Sequence, residues 1–188
     1  MNLWRVARVS VLVGSLWLLC ERLLPMWRLR LASAQLFLLF PNSVLPTSLT
    51  VLPPPQREYV GVWNVSPTEA RRRLTDELPF RQVVRAYLHA YDRAGFQTYE
   101  VGSCVYRPRG LFGRWQLHVR LFPTPDGMTD VWCHWELNPN VAPIAHLKKE
   151  GYDTDRGKKE LKALLDDPIE PPEDLSFGKG SSLTRDND

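Results

Sequence analysis

The sequence predicts an α+β domain of two layers, with helices packed on one face of a small antiparallel sheet, in the order β-α-α-β-β-β-α. Three observations lead there. Residues 114–122 and 130–137 alternate apolar and polar side chains on either side of a Thr-Pro-Asp-Gly turn, the pattern of a hairpin with one buried face. Ser66-Pro67-Thr68-Glu69 reads as a helix start, with Ser66 placed to cap and Pro67 at the first helical position. Phe80, Val83, Val84, Tyr87, Leu88 and Tyr91 recur at i, i+3, i+4, i+7, i+8 and i+11, an amphipathic helical stripe.

In chain order, residues 58–65 form the first strand, rich in Val, Tyr and Trp. The helix that starts at Ser66 carries Ala70, Leu74 and Leu78 on one stripe and is broken by Pro79. Arg71, Arg72 and Arg73 within it point about 100° apart, so they make a solvated face and not a phosphate fork. The second helix runs from Phe80 to a stop at Gly95. Three strands follow as a meander: 96–107, 114–122 and 130–137. A short helical turn at 143–147 ends before Gly151, and a last helix near 155–166 is capped by Asp153 or Thr154, with Leu161, Leu164 and Leu165 inward. Gly157 weakens its first turn.

This domain, residues 58–166, lies between two segments of different composition. Residues 1–40 form a hydrophobic leader, 41–57 a Pro-rich linker, and 167–188 a tail too poor in apolar residues to order itself. The leader's apolar run, 9–20, is shorter than the ~20 residues a spanning helix needs. Three readings of it stay open: a segment that crosses or lies on a membrane, a secretory signal, or translation from a wrong start. The domain is expected to be cytoplasmic, and membrane-associated if the leader is genuine.

Charge narrows the partners. The chain carries a net +3, but residues 1–55 hold five Arg against Glu21 alone, which leaves 19 basic and 20 acidic side chains beyond them. A near-neutral domain lacks the clustered basic excess of a nucleic-acid binder. Three Cys without CxxC spacing make neither a disulfide framework nor a zinc knuckle. No nucleotide-binding, hydrolase, zincin or EF-hand motif is present.

The strings Gln-Leu-His-Val-Arg-Leu-Phe-Pro (116–123), Val-Trp-Cys-His-Trp-Glu-Leu-Asn-Pro-Asn (131–140) and Ile-Ala-His-Leu-Lys-Lys-Glu-Gly-Tyr-Asp (144–153) resemble small archaeal proteins of unknown function that share a His-Trp-Glu strand. The resemblance spans about residues 58–166 and implies no activity, cofactor or catalytic residue.

The hairpin carries the chemistry. Trp115, Leu117, Val119 and Leu121 share a face with Val131, Cys133, Trp135 and Leu137, the side for burial under helices. The other face holds Gln116, His118 and Arg120 beside Trp132, His134 and Glu136, and the register must pair His118 with His134 or Glu136. Two readings follow. His118, His134 and Glu136, with His146 from the next loop, are ligands suited to a divalent metal, the one cofactor these residues could hold. Alternatively, Trp132, Arg120, His134 and Glu136 form an exposed face for a protein partner or a second copy. The expected function is a non-enzymatic interaction or accessory domain, with a small metal-binding protein or metal-dependent enzyme as the alternative.

Overall fold

The structure is a computed structural model that describes residues 26–45, 49–83 and 88–171. It is an α+β fold built from two sheets. The larger has five strands in the order β2-β8-β7-β6-β3, antiparallel throughout: β2 (Tyr59–Trp63), β3 (Phe80–Gln82), β6 (Gly102–Tyr106), β7 (Trp115–Pro123) and β8 (Thr129–Leu137). The smaller has the order β1-β4-β5, from β1 (Val51–Leu52), β4 (Leu88–Arg93) and β5 (Phe96–Tyr99), with β1 parallel to β4. Among the described residues four α-helices complete it: α1 (Met26–Phe37), α2 (Pro67–Arg72, continuing as a wider π-type turn over Arg73–Glu77), α3 (Pro143–Leu147) and α4 (Thr154–Leu164).

The main core lies between the larger sheet and helices α2 and α4. Leu117, Val119, Leu121, Val131, Cys133 and Trp135 meet Ala70 and Leu74 of α2 and Leu161 of α4. These are the alternate positions read as the apolar face of the hairpin, and burying them is what holds the register of β7 on β8. Both caps form as expected: Ser66 Oγ accepts from the Glu69 amide, and the Asp153 side chain accepts from the Arg156 amide. Glu69 does not close a capping box; its carboxylate takes Arg72 and Arg73 instead. Arg71 turns away from that pair and reaches back to the Pro67 carbonyl and the Thr68 hydroxyl, so the three guanidinium groups do not converge.

The helix expected over residues 80–94 is instead two strands, β3 and β4, with Val84 and Tyr87 outside the described residues. The reason is burial on both faces. Leu88 and Ala90 pack toward Val51 and Ala34 of α1, while Tyr91 packs on Phe122, Trp132 and Tyr59. A strand buried on two sides loses the period-two alternation, and its apolar residues then match a helical stripe by coincidence. Gly95 is not a helix stop. Ala94 and Gly95, at φ 50° and 88°, make the two-residue turn that joins Arg93 to its partner Phe96.

The stretch 96–107, read as one strand, changes sheets midway. The Glu100 amide bonds the His89 carbonyl of β4, and the next amide, Val101, bonds the Leu121 carbonyl of β7. This handover swings β4 and β5 across the polar face of the larger sheet. The single open face expected for that sheet is therefore closed by the chain itself.

The segment boundaries shift as well. α1, which falls within the segment expected to be a separate leader, packs Ala34 against Leu88 and Ala90, and its Arg30 pairs with Glu100 at 2.9 Å. β1 falls inside the expected linker. At the other end Ile169 joins the main core, and Glu170 exchanges backbone hydrogen bonds with Val62 of β2, so the packed chain runs past residue 166. Among the described residues no helix is long and apolar enough to cross a membrane. The apolar run 9–20 and the tail from residue 172 lie outside the described residues.

Candidate metal centre

β7 and β8 place His118 directly opposite His134, Gln116 opposite Glu136 and Arg120 opposite Trp132. The first of these settles the register left open between His134 and Glu136. All six side chains are buried. His118 Nδ1 lies 3.5 Å from Glu136 Oε1, and His134 Nε2 lies 3.0 Å from Glu136 Oε2. One ligand atom from each of His118, His134 and Glu136 falls within 4.8 Å of the others.

The outward-turned atoms of each ligand are also held. His118 Nε2 meets Ser103 Oγ at 2.8 Å, and His134 Nδ1 meets Glu58 Oε2 at 3.2 Å. Glu58 is fixed in turn by Arg120 and by the Tyr152 hydroxyl, and the Tyr152 ring stacks on His134 with centroids 4.7 Å apart. Gln116 Nε2 donates to Glu136 Oε1 at 2.6 Å, and Arg107 holds Gln116 from behind. Each imidazole thus presents one nitrogen to the cluster and turns the other toward a fixed oxygen, Ser103 Oγ at hydrogen-bond distance from His118 and Glu58 Oε2 at ion-pair distance from His134, the kind of outer contact that orients histidine ligands.

Helix α4 fixes the backbone under His134. A Cβ on Gly157 would stand 2.6 Å from His134 Cα, and Asp153 and Trp135 exchange backbone hydrogen bonds at 2.8 and 2.9 Å. The glycine that costs the helix propensity is the one that lets it lie directly on β8.

Burial shapes the ionisation of the cluster. It pushes the His118 imidazole down to about 4, helped by the Arg120 charge. It would raise Glu58, but His134, Arg120 and Tyr152 override it and hold that carboxyl at about 2. Glu136 is likewise held well below the usual range by His118 and His134 against the cost of burial. His134 moves upward, because Glu136 and Glu58 outweigh its burial. The two cysteines among the described residues offer no nucleophile: burial pushes Cys104 and Cys133 each up to about 12.

The expected ligands divide. His118, His134 and Glu136 come together, while His146 does not join them as a ligand. Its Nδ1 lies 2.8 Å from the Leu137 carbonyl and 3.3 Å from Glu136 Oε2. A nitrogen bound to a carbonyl carries a proton, so His146 orients Glu136 from the rim. The expected exposed interface is not available. Trp132 is fully buried among Tyr59, Tyr91 and Phe122, and Arg120, His134 and Glu136 are covered by the same chain. Ser103, Glu58 and Tyr152 were not anticipated. Ser103 sits on the polar phase of β6 and Glu58 opens the segment read as the first strand, whereas Tyr152 arrives from a loop with no periodic signal.

Fold and site together define an α+β domain with a buried His/His/carboxylate cluster on one face of its larger sheet. The chain matches no protein-family model, and comparison with curated proteins and with solved structures gives no match either.

Proposed function

We propose that this is a non-enzymatic accessory domain that holds one divalent transition metal of the zinc class through His118, His134 and Glu136. The observation that carries the reading is the paired orientation of the two imidazoles, one nitrogen inward and the other on Ser103 or Glu58. Ligand atoms about 2.0–2.2 Å from a tetrahedral zinc stand about 3.3–3.5 Å apart. The 3.0 and 3.5 Å separations from Glu136 lie close to that spacing. The imidazole pair, within 4.8 Å, closes to it by a shift of at most about 1.4 Å. The Arg120 charge that would repel a cation is neutralised by Glu58.

Burial of all three ligands favours a structural or sensing centre over a catalytic one, which needs a coordination position open to substrate. Cobalt(II) titrated into the chelator-treated full chain tests the reading. One equivalent should produce the visible absorption of a four-coordinate nitrogen/oxygen site, and Glu136→Gln should abolish it. A folded chain that leaves the cobalt spectrum that of the hydrated ion would overturn the assignment.

A further inference from the structure

A second surface, on the outer side of α3 and the loop before β7, gathers exposed apolar side chains. Phe112 is 83% exposed, Ile144 70% and Leu147 69%, and Leu111 and Val141 are also exposed. The fully buried Asn138 joins the two segments. Its Nδ2 donates to the Leu111 and Gly113 carbonyls at 2.9 and 2.8 Å, and its own carbonyl accepts from the Val141 and Ala142 amides. Ile144 and Leu147 stand three residues apart on α3 and so project together. Exposed apolar patches of this kind mark interaction sites; among the described residues Leu39 and Val44, at 77% and 67%, are comparably open, but on a different segment of the chain.

Its charge is mainly basic. Arg109, Arg114, Lys148 and Lys149 are exposed around it against the exposed Glu150 that follows Lys149, and no acidic residue occurs in 101–125 or 138–149. Apolar tips inside a basic rim are complementary to an anionic bilayer, whose headgroups pair with the cations while the tips enter the acyl boundary. The same chain carries a twelve-residue apolar run at 9–20, behind Arg5 and Arg8, too short to cross a bilayer alone. Stable attachment by a weak anchor requires a second membrane contact. The geometry points to the Phe112–Ile144–Leu147 surface as that contact, a docking face for anionic lipid.

The test uses the full chain with Cys20→Ser, so that an introduced thiol is the reactive one; Cys104 and Cys133 are buried. An NBD fluorophore is placed at Phe112→Cys, and in a second protein at Asp126→Cys, in the turn at the far end of the β7–β8 hairpin. Vesicles of phosphatidylcholine with phosphatidylglycerol should shift the position-112 emission to the blue and leave position 126 unchanged. Arg109→Glu with Lys148→Glu should lower the vesicle partition coefficient about 25-fold or more, at roughly fivefold per basic residue. The proposal is overturned if the chain floats with vesicles while the probe at 112 keeps its aqueous emission, since the leader alone then holds it. It is equally overturned if the chain does not bind vesicles, or if soluble polyglutamate shifts the probe as much as lipid does.

Discussion

His118 and His134 face each other across the β7–β8 ladder with ring centroids 5.1 Å apart and planes at 69°. Two like side chains with no charge between them would gain little from this placement. Glu136 supplies the charge, 3.5 Å from one ring and 3.0 Å from the other; Ser103 holds the far nitrogen of His118, and the Glu58 carboxylate faces that of His134 at 3.2 Å. The arrangement converges on one point and is supported from behind at each ligand, which an incidental polar patch would not require.

Ser103→Ala tests that outer support. It removes one hydroxyl and leaves all three ligands, so zinc affinity measured by competition with a chelator dye should fall about 10–100-fold. Thermal stability of the metal-free protein should change by only about 1 kcal/mol. An unchanged zinc affinity would separate Ser103 from the metal.

Gly157→Ala should destabilise the fold, by about 2–3 kcal/mol in urea denaturation. At a free helical position the same change would stabilise by about 1 kcal/mol through propensity. The sign reverses because the added Cβ meets the His134 and Trp135 backbone, which cannot rotate away.

Trp132→Ala should cost about 3–5 kcal/mol of stability, the range for a large core aromatic. Its ring packs 4.5 Å from Tyr59, 4.8 Å from Phe122 and 4.9 Å from Tyr91, centroid to centroid. Sedimentation should show no loss of self-association beyond what unfolding explains.

Acid should destabilise the metal-free protein in two stages. His89 and His118 bind protons less readily folded than unfolded, His118 only near pH 4, so their contribution is present above about 6.5 and is lost as pH falls toward 4. Glu58 and Glu100, held at about 2, add a contribution present above about 4.5 and lost on the way to 2. Each carboxylate is worth up to about 3 kcal/mol. His134 has the opposite sign: its raised value contributes below about 6.5 and is lost as pH rises through the folded value. Urea midpoints should therefore drop from pH 6.5 to 4 and drop further below 4.5. A flat profile from pH 7 to 4 would contradict these assignments.

Much of the site was legible because hairpin alternation is a strong local signal. Val119 and Cys133, His118 and His134 sort to the two faces of β7 and β8 from the sequence alone, and the ends of α2 and α4 follow from Ser66, Pro79 and Asp153. What was not legible depends on long-range packing. Leu88 to Tyr91 reads as helix because β4 is buried on both sides, which no local pattern distinguishes from a buried helical turn. Trp132 reads as exposed because nothing in 96–107 announces that the strand changes sheets at Glu100 and covers it. Arg30 reads as leader charge because its partner, Glu100, is seventy residues away.

Native mass spectrometry of the full chain, purified without chelator and sprayed from a volatile buffer after incubation with one equivalent of zinc, tests the metal assignment most directly. The account predicts one zinc per chain, retained through desalting and absent from folded Glu136→Gln. A folded wild-type chain that carries no metal, or an ion that Glu136→Gln retains, would contradict it.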